Sequence, residues 1–445
     1  MAATSSRPVD GSSRGKRRVW LEYLRAVGPG LITGASDDDP SGIATYAQAG
    51  AKYGLSLLWL ALVSFPLMAA VQEICDRTAL ATGSGLGELS AKRFGHFGRL
   101  VVSVLLSILI VANALNIAAD LIAIGSGMTL LHAGPTWLWA LLSGVLIAAA
   151  IVVGSFARIS QVFKVLAMAL LAYVIVAVMV THHLGLVLRH TFVPSFEFSK
   201  GYLALFVALL GTTISPYLFF WQSANRLEEM RVEDEGGTSP LPLARRRPRG
   251  AKRKQSKARA DVFSGMALSN IVMFAIIAAT AATLHAHHIV NIQSAAQAAQ
   301  SLKPFAGRFA SVIFALGFIG SGLLAIPVLA ASGSVGLSGI VGKEWGFSKS
   351  PRDAPLFYLL VSTGTVGGTA LSLLNINPIK LLVFVAVING VIAAPLLTVV
   401  MRVATSRSLM GEYVNGRVAN FLGWLTVAVM GVASVVLFAS GGVSL

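Results

Sequence analysis

The sequence predicts an all-α polytopic membrane protein, folded as two inverted repeats that each open on a broken helix. Three observations carry this reading. Of 445 residues, 55% are hydrophobic and only 12% are charged, which excludes an ordinary soluble enzyme with a polar surface. The apolar residues gather in runs long enough to span a bilayer. Two of those runs, five spans apart, are interrupted by proline among polar residues, at Asp39-Pro40-Ser41-Gly42 and at Ser215-Pro216-Tyr217.

Each span needs roughly 17–25 mainly apolar residues. The runs near 28–50, 54–75, 99–131, 135–155, 158–181, 200–225, 261–284, 307–333, 355–375, 379–402 and 420–440 meet that requirement, about eleven spans in all. The third is long and carries Asn113, Asn116 and Asp120, so it is expected to tilt or to end in an interfacial turn. Residues 1–26 read as a basic cytoplasmic tail and 27–182 as the first repeat, spans 1–5. Residues 199–402 read as the second repeat, spans 6–10, and 418–445 as an appended eleventh span.

A net charge of +16 and a pI near 10.3 could point to nucleic acid, but the basic residues lie between apolar runs, so membrane topology explains them and no specific nucleic acid is expected. Arg14, Lys16, Arg17, Arg18 and Arg25 precede the first span. Arg77, Lys92, Arg93, Arg158, Lys164, Lys343, Lys349, Arg352, Arg402, Arg407 and Arg417 then fall in alternate loops. This asymmetry predicts an inner (plasma) membrane protein with a cytoplasmic amino terminus and an outside carboxyl terminus. No cleaved signal peptide is evident, and the single cysteine, Cys75, allows no internal disulfide.

Residues 226–260 open with Glu228, Glu229, Glu233, Asp234 and Glu235 and end in RRRPRGAKRKQSKAR. They predict a disordered cytoplasmic insertion. Its basic part reads either as a positive-inside signal or as a contact for anionic lipid. Oligomeric state is left open by the sequence.

Carboxylates inside a bilayer are costly and mark pathways by default. In GPGLITGASDDDPSGIATYAQAG, three aspartates, a proline and a glycine interrupt an apolar helical pattern. Pro40 removes a backbone donor and Gly42 tolerates strained dihedrals, so carbonyls near Ser36 and Asp39 are expected to lose their helical partners. The sixth span repeats the device in GTTISPYLFFWQ, with Gly211, Thr212, Ser215 and Pro216. Paired broken helices in corresponding positions point to a transporter with a midplane site. A proline kink alone leaves the DDDP carboxylates uncompensated.

These residues resemble the NRAMP family of divalent metal transporters. GPG, the Asp-Pro break, YAQAGAKYG, LLW and the glycine and proline of span six carry the likeness, and DPSG with TISPY is similar to the NRAMP-related magnesium branch. The resemblance implies a LeuT-like fold and a metal site with Asp39 as the anionic ligand. Ser36 and Thr212 would supply carbonyls, Gly42 would stand at the family's asparagine position and leave space for hydration, and Ser215 would replace its methionine. Loss of the thioether leaves hard oxygen donors, which favours a partly hydrated Mg2+ over Mn2+ or Fe2+. In NIAADLIAIG, Asp120 is kept but Ala123 stands where the family has a glutamate on its proton route, and Tyr217 stands where it has a histidine. A phenol that ionises only at about pH 10 is a poor proton carrier near neutrality, so transport without proton coupling is implied. No resident cofactor is expected.

Other polar residues take lesser places on the pathway. Of Asp37 and Asp38, at least one is expected to line a cytoplasmic vestibule. Glu73 and Arg77 are spaced as an i,i+4 ion pair. Gln72, Gln222, Asn225 and Asn389, the last interrupting span ten with Gly390, suit neutral ligation or interhelical hydrogen bonds. His285, His287 and His288 suit an interfacial role. No nucleotide-binding, serine-hydrolase or zinc-protease motif occurs in a suitable context. The rival readings are a proton-coupled Mn2+/Fe2+ transporter, an organic-cation carrier of the same fold, a channel, and an intramembrane aspartyl hydrolase using Asp39 and Asp120.

Overall fold

The computed structural model describes residues 29–153, 171–180, 184–232, 239–302, 307–374 and 376–441. Every regular element among them is helical. Among the described residues, eight stretches are long and apolar enough to cross a membrane. Three expected spans are not among those eight. The first is divided into two short helices. The fifth lies largely outside the described residues, which keep only Leu171–Val180 of it. The ninth, Pro355–Ser372, is diluted by serine, threonine and glycine.

The first break separates α1 (Pro29–Asp37) from α2 (Pro40–Tyr53). The helix restarts on Pro40, whose missing N–H costs nothing at a first helical position. Asp39 caps it, accepting from Gly42 N at 2.8 Å, as a carboxylate at this position should. After α3 (Trp59–Thr82) and the short α4 (Leu86–Arg93) comes α5 (His96–Leu130), a single helix of 35 residues. At 1.5 Å per residue it outruns a bilayer core of roughly 30 Å, and it ends in a turn over residues 131–134, where His132 and Gly134 take positive φ. Next in the chain are α6 (Thr136–Val153), α7 (Leu171–Val180) and α8 (Leu184–Phe192).

The second break repeats the first. Helix α9 (Lys200–Thr213) stops, Ile214 and Ser215 leave helical geometry, and α10 (Pro216–Val232) restarts on a proline. Helix α11 (Pro248–Thr283) follows, then the short α12 (Ala295–Ala299), α13 (Ala310–Val341), α14 (Pro355–Ser372), α15 (Pro378–Ala404), the short α16 (Arg407–Met410) and α17 (Arg417–Ala439).

Two expectations are corrected here. The basic run is not disordered: residues 248–260 form the first turns of α11, and only 233–238 of the insertion fall outside the described residues. Alanine, lysine, arginine and glutamine are good helix formers, and carboxylates of neighbouring helices relieve the crowded charge. Lys254 reaches Glu229 at 3.3 Å and Arg259 reaches Glu73 at 3.1 Å. Nor is span ten interrupted at Asn389-Gly390, because α15 runs through it unbroken. Gly390 serves a close helix contact instead: a Cβ on its partner Gly211 would lie 2.2 Å from the Ala386 carbonyl and 2.3 Å from Gly390 N.

Helix α11 runs along both halves of the broken first helix. A Cβ on Gly34 of α1 would lie 2.3 Å from the Gly265 carbonyl, and one on Gly50 of α2 would lie 2.4 Å from the Ile277 carbonyl. Cys75 is fully buried in α3.

Candidate metal-ion site at the two helix breaks

The breaks meet inside the bundle. Tyr217, first turn of α10, donates its hydroxyl toward the Ser36 carbonyl at 3.2 Å and toward Asp39 Oδ2 at 3.5 Å. Ser215, in the second break, donates to the Thr212 carbonyl at 2.7 Å and lies 3.3 Å from Asp37 Oδ1. Asp39 also accepts from Ser41 Oγ at 2.6 Å and from Asn116 Nδ2 of α5 at 3.0 Å. The same Asn116 amide lies 3.5 Å from Asp120 Oδ2, so one side chain links Asp39 to Asp120.

Asp37, Asp38, Asp39 and Asp120 are 0%, 3%, 1% and 0% exposed. At least one of Asp37 and Asp38 is expected at a cytoplasmic vestibule, and in this conformation neither reaches solvent. Ser269 of α11 holds both, at 2.8 Å from Asp37 Oδ2 and 3.2 Å from Asp38 Oδ1. One hydroxyl has one proton to share between two carboxylates. Asp39 keeps its own carbonyl in the helix, accepting from Ile43 N at 3.1 Å, so of the two carbonyls expected to be released it is Ser36 that points to the second break. Gly42 does not leave a hole either. A Cβ there would lie 3.0 Å from Thr212 Oγ1 and 3.4 Å from the Tyr46 ring, because the two broken helices close onto each other at that point.

Among the described residues no three His, Cys, Asp or Glu side chains converge as a ready-made metal cage. The donors that do converge are the Asp39 and Asp37 carboxylates, carbonyls, hydroxyls, a phenol and an amide that leads on to Asp120. They hydrogen-bond to one another, and an ion must take over those bonds to bind. Asp120 Oδ1 and Asn116 Oδ1 are buried without partners, which orphans two oxygens beside Asp39.

Gln222 is not at the break. Its Nε2 donates to Asp76 Oδ1 at 2.7 Å, and Thr33 of α1 donates to its Oε1. Arg226, one turn on, reaches Asp76 at 2.7 Å, Asp261 at 3.2 Å and Glu229. This buried cluster ties α1, α3, α10 and α11 together on one side of the breaks. Ser269, Asp76 and Thr33 are not among the residues that the sequence marks as functional. A lone serine in an apolar span gives no signal, but Asp76 and Arg226, opposite charges near the ends of two spans, did offer one. The Glu73–Arg77 pair forms as expected, at 3.1 Å. His285 and His287 each contact a backbone carbonyl, of Ala51 and Thr283.

Two discontinuous helices meeting at buried carboxylates and carbonyls define a membrane transporter of the LeuT-like class. A family model described as natural resistance-associated macrophage protein-like (Nramp) matches residues 30–440, and the chain belongs to that family. It is 26% identical over 429 residues to the divalent metal cation transporter MntH of Deinococcus radiodurans, covering 94% of this chain and 89% of that one. Its fold matches the Eremococcus coleocola manganese transporter, with a TM-score of 0.72 and 17% identity, covering 98% of this chain and 90% of the other. The nucleobase-cation-symport-1 family transporter Mhp1 shares the fold more distantly, with a TM-score of 0.52 and 15% identity over 93% of this chain and 90% of the other. These relatives are transporters, not enzymes.

Proposed function

We propose that this Nramp-family chain carries divalent metal cations across the membrane by alternating access, and that its physiological ion is Mg2+, taken with part of its water shell. The observation that carries the reading is the chemistry at the breaks: Asp39, the Ser36 and Thr212 carbonyls and Ser215 offer oxygen and no thioether or imidazole. Oxygen donors suit magnesium, which binds oxygen at about 2.0–2.1 Å and dehydrates reluctantly. A sulfur ligand would favour manganese or iron. The closed packing around Gly42 means that the two broken helices must part to admit a hydrated ion. Transport then needs no proton: an inside-negative potential supplies about 2.3 kcal/mol per charge per 100 mV, acting on two charges.

The second reading is proton-coupled Mn2+ or Fe2+ transport, favoured by the names of the relatives. Purified protein in liposomes, offered Mg2+, Mn2+ and Ca2+ in competition with a pH-sensitive dye inside, separates the two. Magnesium uptake without acidification supports the first. Acidification that tracks manganese uptake supports the second.

A further inference from the structure

Away from the breaks, a groove of about 990 Å³ opens between α3, the start of α11 and the start of α17. Five basic side chains and two carboxylates line it. One of those carboxylates, Glu73, is bracketed by Arg77 and Arg259, each at 3.1 Å. Lys252, Arg259 and Arg417 are exposed at the rim. Farther along α11 and α17 the lining is apolar, with Phe263, Val418 and Leu422. Val418 is 72% exposed and neighbouring Phe421 66%, so the apolar surface continues outward along the exposed side of α17.

A groove that is cationic at its mouth and apolar along its wall, at the basic end of membrane-spanning helices, has the polarity of an anionic phospholipid. We propose that it binds one, with the phosphate at Lys252, Arg259 and Arg417 and the acyl chains along Phe263, Val418 and Leu422. A free phosphate would use the cations alone and leave the apolar wall without a role. The bound lipid bridges three helices. Two of them reach the transport machinery, since α3 carries Asp76 and α11 carries Ser269. The lipid thereby braces α3 against α11 where the helices around the first break must move.

The test is lipid retention by the purified full chain, read by native mass spectrometry with phosphatidylglycerol and phosphatidylcholine in competition. Wild-type protein is expected to prefer phosphatidylglycerol at least tenfold. Lys252→Gln, Arg259→Gln and Arg417→Gln combined should erase the preference, at about fivefold per cation. Lys343→Gln, Lys349→Gln and Arg352→Gln combined, on the loop after α13, should keep it. Val418→Asp should weaken lipid retention by disrupting the apolar wall. Lys252→Gln and Arg417→Gln as single changes keep the test decisive if the triple variant fails to fold. Equal retention of the two lipids, an unchanged preference in the rim variants, or displacement of phosphatidylglycerol by millimolar inorganic phosphate would overturn the proposal.

Discussion

The Tyr217 hydroxyl lies 3.2 Å from the Ser36 carbonyl and 3.5 Å from Asp39 Oδ2, so one phenol from the second broken helix plugs the gap in the first. An ion that binds Ser36 and Asp39 must displace it. Tyr217→Phe removes this competition. A net hydrogen bond is worth about 0.5–1.5 kcal/mol, so the KM for Mg2+ in liposome uptake should fall about two- to tenfold. A raised KM would instead make the phenol a ligand.

Asp39 has two duties that substitutions can separate. It caps α2 and supplies the site's negative charge. Asparagine caps a helix as well as aspartate does, whereas alanine costs about 1 kcal/mol. Asp39→Asn should therefore abolish uptake with little change in thermal stability. Asp39→Ala should abolish uptake and also lower the melting temperature. Asp39→Asn protein that still carries magnesium at the wild-type rate would remove the carboxylate from the mechanism.

Ser215 sits 1% exposed, 2.7 Å from the Thr212 carbonyl. Ser215→Met introduces a soft ligand at the second break and should move preference from Mg2+ toward Mn2+, by about tenfold in the ratio of uptake rates. The larger side chain overpacks a closed site, at about 1–3 kcal/mol. Total uptake should therefore fall while the ratio shifts, and competition uptake with both ions reads each effect separately.

Arg226 faces Asp76, Asp261 and Glu229 from a buried position. Removing one partner of a buried ion pair leaves an uncompensated charge and typically costs about 3–5 kcal/mol. Arg226→Gln should lower thermal stability markedly. Asp76→Asn in the same background should restore part of it, since the orphaned carboxylate is gone. Melting curves of the single and double variants give the answer, and independent, additive losses would show that the pair is not coupled.

Much of this architecture was legible because membrane physics leaves few options. Long apolar runs must be helices, and a proline beside aspartates must interrupt one. The breaks at Asp39-Pro40 and Ser215-Pro216 stand where the sequence places them. What it hid were contacts between elements. Ser269 is one serine in an apolar stretch, and only folding brings it to Asp37 and Asp38. Gly42 looked like spare room because a missing side chain suggests space, but tertiary packing brings Thr212 and Tyr46 onto it. The basic run has the composition of a disordered segment, and only folding sets its Lys254 against Glu229 and its Arg259 against Glu73.

Cys75, the single cysteine of the sequence, is sealed within the packing of α3. A thiol reagent offered to the folded protein should meet no accessible native sulfur. A cysteine introduced at the Thr33–Gln222 contact or near Tyr46 should then report, by its labelling rate alone, from which side of the membrane each half of the pathway is open.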